Sequence, residues 1–125
     1  MKTTEMNDQL LNLTQELRRG ALPLAVLSVL RENTYGYALI TDLSARGIEI
    51  DQGTLYPMLR RLESQGLLQS SWIIEGTRPR RYYQVSAEGI QVLEALSAEW
   101  RSLNMVMENL LGAQPVNDGG KNESD

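Results

Sequence analysis

The sequence predicts a mainly α fold with one small β-hairpin: a helix-turn-helix, a two-stranded wing and one long C-terminal helix. Three observations carry this. An amphipathic stretch, Asp51 to Glu63, follows a short helical segment and a turn containing Gly47. Directly after it, two strand-like runs, Leu68 to Ile74 and Arg80 to Val85, flank the turn Glu75-Gly76-Thr77-Arg78-Pro79. Further on, Leu93, Leu96, Trp100, Leu103, Met107 and Leu110 recur at alternating steps of 3 and 4, a heptad seam.

Composition narrows the classes of function. The 125 residues suit one domain with a single core, and 42% apolar with 22% charged residues fits a globular protein. No apolar run approaches the roughly 20 residues that span a bilayer, and the N-terminus lacks a signal-peptide core. The absence of cysteine removes disulfides and thiolate metal sites and fits a reducing cytosol. The absence of histidine removes the commonest general base and the usual zinc ligand, so a Ser-His-Asp triad is impossible. No close carboxylate pair stands in an apolar setting. We therefore expect a cytoplasmic protein that is no enzyme, with no cofactor, no metal and no membrane partner.

The net charge of −4 is unevenly spread. Residues 50–85 carry five basic and three acidic groups, whereas residues 86–125 carry two and seven. Positive charge thus gathers on the helix and hairpin. Exposed charges more than ~8–10 Å apart are largely screened at physiological salt, so a distant acidic end opposes anion binding only modestly.

Taken in order, residues 1–4 are expected to fray and Glu5 to Arg18 to form a helix with Leu10, Leu13 and Leu17 on one stripe. Arg18-Arg19-Gly20 makes a break. A second helix, about Ala21 to Arg31, tolerates Pro23 in its first turn and is apolar nearly all round, as a helix buried on several sides is. Asn33 and Thr34 lead to Tyr35-Gly36-Tyr37, and a third helix runs to about Ala45. The turn Gly47-Ile48-Glu49-Ile50 then completes a helix-turn-helix pattern.

In the next helix, Leu55, Met58, Leu59 and Leu62 share one face. Gln52, Tyr56 and Arg60 recur every four residues on the other, offering groups that can bond phosphates or base edges. Asp51 is the expected N-cap. Pro57 lacks an N–H and should disturb the helix one turn in. Gln65-Gly66 ends it with a left-handed cap. In the hairpin, Arg78, Arg80 and Arg81 precede Tyr82-Tyr83, whose side chains point to opposite faces. Ser86 caps the last helix. The expected domains are 1–85, the winged helix-turn-helix with its N-terminal helices; 86–111, a dimerisation helix; and 112–125, a disordered tail.

Gly-Thr-Leu-Tyr-Pro at 53–57 followed by Leu-x-Arg-Leu-Glu at 59–63 resembles the recognition-helix signature of the PadR family of transcriptional regulators. Tyr35-Gly36-Tyr37, the Arg19-Gly20-Ala21-Leu22 stretch, the basic turn before Tyr82-Tyr83 and the Ser86-x-x-Gly89 start are similar to the same family, over about residues 17–111. The resemblance implies a winged helix-turn-helix that binds operator DNA as a homodimer. Gln52, Thr54, Tyr56 and Arg60 would meet the major groove, and Arg78, Arg80 and Arg81 would serve the wing. Tyr35 and Tyr37 would either bond phosphates or pack on the core.

The short length and single terminal helix resemble a small branch of that family. There, the terminal helix and the partner's N-terminal region build the dimer, and some members sense planar aromatic drugs between facing tryptophans. Trp100 matches that tryptophan in position. Ser97, Leu103 and Asn104 are its helical neighbours, and Leu24 is a candidate second wall. The alternative is a filled dimer core at Trp100 with no cavity. The function so implied is a repressor released from DNA by a planar aromatic, multidrug-type ligand. The rival is a winged-helix protein-interaction module that binds no DNA; it gives no reason to cluster Tyr56, Arg60, Arg78 and Arg80.

Overall fold

Helices α1 (Lys2–Arg19), α2 (Leu22–Val29), α3 (Gly36–Ala45), α4 (Gln52–Ser64) and α5 (Ala87–Gly112) alternate with strands β1 (Thr34–Tyr35), β2 (Leu68–Glu75) and β3 (Arg78–Val85). The computed structural model describes residues 2–112. The chain divides into two units, Met1–Leu93 and Glu94–Asp125, and the division falls inside α5. Of the expected tail, Gly112 is the last residue of α5, and residues 113–125 lie outside the described residues.

In the first unit the core is built from the stripes that periodicity picks out. Leu22, Val26, Leu27 and Leu30 come from α2 and its cap, Leu39 and Leu43 from α3, and Leu55, Met58, Leu59 and Leu62 from α4; all are buried. Each such side chain contributes roughly 1.5–3 kcal/mol of transfer free energy. Leu68, Tyr83 and Val85 from the sheet and Leu93 from α5 close this core. The first member of the heptad seam is thus spent inside the winged unit.

The turns follow from local chemistry. At the end of α4, Leu67 N–H donates to the Leu62 carbonyl and Gly66 N–H to that of Glu63, with Gly66 at φ +82. This double cap satisfies the last carbonyls and turns the chain straight into β2. Glu75 pairs with Arg78, so the hairpin turn is the two residues Gly76-Thr77. Gly76 has φ +64, and no described non-glycine residue has positive φ; glycine first is the pattern of a II′ turn. The strands therefore reach one or two residues nearer the turn than expected.

Ser86 caps α5 by accepting from Gly89 N–H at 2.9 Å, and its hydroxyl donates to the Gly66 carbonyl at 2.6 Å. A Cβ on Gly89 would lie 2.1 Å from the Leu67 carbonyl oxygen. The Ser-x-x-Gly start of α5 therefore has a steric reason: the helix begins in contact with backbone.

Four expectations need correction. Residues 2–4 are helical, because nothing in Lys2-Thr3-Thr4 breaks the pattern. α2 stops at Val29, since Arg31 and Glu32 turn back to Ser28 and Val29 with tighter bonds. Thr34–Tyr35 is a strand, pairing antiparallel with Tyr83 and Tyr82; two residues are too few to show an alternation. Pro57 leaves α4 unbroken. The carbonyl it deprives is that of Gly53, and both residues are exposed, so water can take that carbonyl.

In the second unit the described residues are helical. Trp100 is 50% exposed, and Leu103, Met107 and Leu110 are exposed beside it. In the first unit, α1 buries none of its residues, and Met6, Leu10, Leu13 and Leu17 are all exposed.

Candidate nucleic-acid interface

The site is built on α4. Asp51 stands outside the helix in extended conformation, and its carboxylate accepts from Thr54 N–H at 2.8 Å. The Thr54 hydroxyl first, and then that N–H, hold the Asp51 carboxyl below its ordinary value. With the start fixed and Leu55, Met58, Leu59 and Leu62 anchored, the opposite face must look outward. Gln52 and Arg60 are exposed on that side with Tyr56 half-buried between them, and Thr54 is exposed on the other flank of the helix.

Tyr56 and Arg60 line an open cleft of about 630 Å³, shared with Tyr35, Gly36 and Tyr37 of the β1–α3 junction and with Trp72, Arg78, Arg80, Arg81 and Tyr83 of the hairpin. Tyr56 sits against Gly36, where a Cβ would lie 2.3 Å from its ring. The Tyr-Gly-Tyr glycine is therefore the bed on which the Tyr56 ring lies. Gln52 is not among the residues lining this cleft. Thr54 lines a second cleft of about 590 Å³ with Arg18, Arg19, Gly47 and Asp51.

The hairpin arginines differ in their surroundings. Arg80 donates to Glu75 at 3.1 Å and lies over the Tyr35 ring at 4.3 Å. Tyr35 meets Tyr82 edge-on at 5.3 Å, and the Tyr82 hydroxyl donates to Glu75. That bond to the carboxylate raises the Tyr82 phenol above its ordinary value. Arg81 donates to Glu63 at 3.0 Å and to the Ser70 hydroxyl at 3.1 Å. Arg78 is exposed. Among the described residues, neither Arg60 nor Arg78 makes a side-chain hydrogen bond or ion pair.

Tyr83 is the packed member of the tyrosine pair, and burial pushes its phenol up. Tyr37 is exposed at the head of α3. Sequence reasoning omitted Trp72, Tyr83 and Gly36 from the site. For Trp72 a signal existed: it lies on the same strand face as Leu68 and opposite Arg81 in register. Of the residues proposed around a ligand, Trp100, Leu103 and Asn104 are exposed and Ser97 half-buried on the second part of α5, and Leu24 is half-buried on α2. Among the described residues no group of acidic side chains could hold a metal ion, and no helix is long and apolar enough to cross a membrane.

The chain is similar to known proteins over most of its length. The family model for the transcriptional regulator PadR-like family matches residues 26–95. The transcriptional regulator Rv3488 of Mycobacterium tuberculosis is 36% identical over 101 residues, covering 80% of this chain and 92% of that protein. A PadR family transcriptional regulator from Eggerthella lenta is similar in structure with a TM-score of 0.85 and 46% identity, over 89% of this chain and 99% of that one. A PadR-like regulator from Bacillus cereus has a TM-score of 0.72 and 26% identity, over 79% and 99% of the two chains.

Proposed function

This chain belongs to the PadR-like family of transcriptional regulators, and from that premise we propose that it binds operator DNA as a homodimer, with α4 in the major groove and the β2–β3 wing alongside. The observation that carries the proposal is the cleft itself: Tyr56 and Arg60 of α4 share one open surface with Tyr35, Tyr37, Arg78 and Arg80. Phenols and guanidinia in such a groove suit phosphates and base edges. Arg60 and Gln52 are the base readers, and Thr54 adds a hydroxyl from the other flank of the helix, which lines the second cleft. Arg78 is the phosphate contact at the wing tip; Tyr35 and Tyr37 lie behind it, and Arg80, paired with Glu75, packs over the Tyr35 ring.

A second copy is proposed because two apolar stripes lack cover in one. An 18-residue helix that buries nothing is marginal in water, and α1 is such a helix. The exposed seam from Trp100 to Leu110 is another such surface. A two-fold dimer uses the same patches on both copies and sets two α4 helices about one DNA turn, or a multiple, apart. Occupying that much DNA excludes competing proteins, so the regulator acts as a repressor. The exposed Trp100 with Leu103 and Asn104 on its face supports a site for a planar aromatic effector across the dimer, where a ligand favouring one helix spacing shifts the population of DNA-competent dimers.

The test is a mobility-shift titration on the DNA upstream of the protein's own gene, with sedimentation of the free protein. We expect a specific complex of two copies whose affinity falls with salt by a slope of about −0.9 per phosphate neutralised. A stable folded monomer at micromolar concentration, or no preference over scrambled DNA, would refute it.

A further inference from the structure

Arg81 looks like its neighbours in sequence, yet its surroundings single it out. Its guanidinium donates through Nη2 to Glu63 Oε1 at 3.0 Å and through Nε to Ser70 Oγ at 3.1 Å. Ser70 in turn donates to Glu63 Oε2 at 2.6 Å. The triangle is closed: both carboxylate oxygens are taken, one by each strand of the wing. The Trp72 and Tyr83 rings hold the guanidinium from the sides, with centroids at 5.8 and 5.6 Å. The Arg81 and Glu63 side chains retain 39% and 28% exposure.

We propose that Glu63 is a specificity-determining positioning residue: it holds Arg81 as a strut between the last turn of α4 and the wing, and so keeps that cation from the DNA backbone. This rests on the DNA-binding reading above. A free arginine beside the groove would add a phosphate contact that any sequence satisfies. One engaged by a carboxylate adds none, and instead fixes the angle between the helix that reads bases and the wing. Glu63 therefore lowers non-specific affinity and sharpens discrimination at once. Arg78, exposed and without a side-chain hydrogen bond or ion pair among the described residues, is the contrasting phosphate contact.

The experiment compares operator and scrambled duplexes over a salt series for the full-length parent, Glu63→Gln, Arg81→Ala, the double variant and Arg78→Ala. Glu63→Gln is expected to bind scrambled DNA more tightly and to steepen the salt slope by about 0.9 per protomer, about 1.8 for a dimer. Arg81→Ala should lose operator affinity and leave both the slope and the scrambled-DNA affinity unchanged. The double variant should return to the parent slope, because the extra contact in Glu63→Gln is Arg81 itself. Arg78→Ala should flatten the slope by the same amount on both duplexes. In the parent, NMR of the arginine Nε–H groups gives a reading free of folding effects: DNA should shift Arg78 and leave Arg81 in place. If Arg81→Ala flattens the slope, if Glu63→Gln fails to steepen it, or if DNA shifts Arg81 as it does Arg78, the positioning role is overturned alone. A parent that binds no DNA overturns the DNA-binding reading and this proposal with it.

Discussion

Gly36→Ala tests whether the Tyr56 ring must lie where it does. A Cβ there would stand 2.3 Å from Tyr56 Cε1, 2.7 Å from the phenol oxygen and 2.8 Å from Cζ. Ordinary contact needs more than a further ångström, so the ring must swing out of its bed. Gly36 opens α3 without positive φ, so alanine is tolerated by the backbone and favours the helix by about 0.5–1 kcal/mol. Against this, a ring forced off its rotamer costs about 0.5–1.5 kcal/mol, and imperfect repacking raises that toward about 3. Net stability should therefore change by between a gain of about 0.5 and a loss of about 2.5 kcal/mol, a modest shift in Tm. Operator affinity should fall much more, by roughly tenfold or greater, as loss of one good contact of about 1–3 kcal/mol implies. Thermal melts and fluorescence anisotropy on operator DNA separate the two effects. On a Tyr56→Ala background the same substitution should change operator affinity little, since the ring it displaces is gone. Parent-like affinity in Gly36→Ala, or an equal loss on both backgrounds, would refute the reasoning.

Gly89→Ala should be far more damaging than Gly36→Ala, because its Cβ meets the Leu67 carbonyl oxygen at 2.1 Å and backbone cannot swing aside. A loss near 3 kcal/mol, the upper end for overpacking of about 1–3, should appear in chemical denaturation; wild-type stability would show that the start of α5 shifts freely. The cap of α4 should be acid-sensitive: the Asp51 carboxyl is lowered by its bonds to the Thr54 hydroxyl and N–H, so its contribution is complete above the ordinary value of 3.8 and is lost as pH falls through the lowered one. Asp51→Asn should keep the first turn while removing that part of the acid transition, as amide exchange at Thr54 would report. Leu13→Glu should leave the monomer fold intact, since α1 buries none of its residues within one copy, and weaken the dimer by more than tenfold in sedimentation; an unchanged dimer would remove α1 from the interface.

Much of the architecture was legible because its signals are local. The stripe of Leu55, Met58, Leu59 and Leu62 announces α4 and which side is inward, and all four are buried. Gly47, Gly66 and Gly76 mark the three turns where, among the described residues, φ is positive. What was not legible depends on distant segments meeting. β1 exists because Thr34 and Tyr35 lie against Tyr83 and Tyr82, almost 50 positions away, and two residues carry no period. The ring of Tyr56 rests on Gly36, which by sequence alone reads only as a helix start.

Charge is the instructive case. Counting by sequence, the window 50–85 offers five basic residues against three acids, and all three hairpin arginines look alike. In the fold each acid has work. Asp51 caps α4, Glu63 holds Arg81, and Glu75 takes both Arg80 and the Tyr82 hydroxyl. A count of arginines is therefore an upper bound on the contacts between arginine and phosphate. The acids at Glu63 and Glu75 cannot be read as diluting a basic patch uniformly, because each engages one particular guanidinium. Arg60 and Arg78 keep their side chains free of ion pairs among the described residues, one on the helix and one at the wing tip. Surface ion pairs of this kind stabilise a fold by only about 0–1 kcal/mol, so in the proposed DNA complex their larger consequence would be to decide which cations meet phosphate.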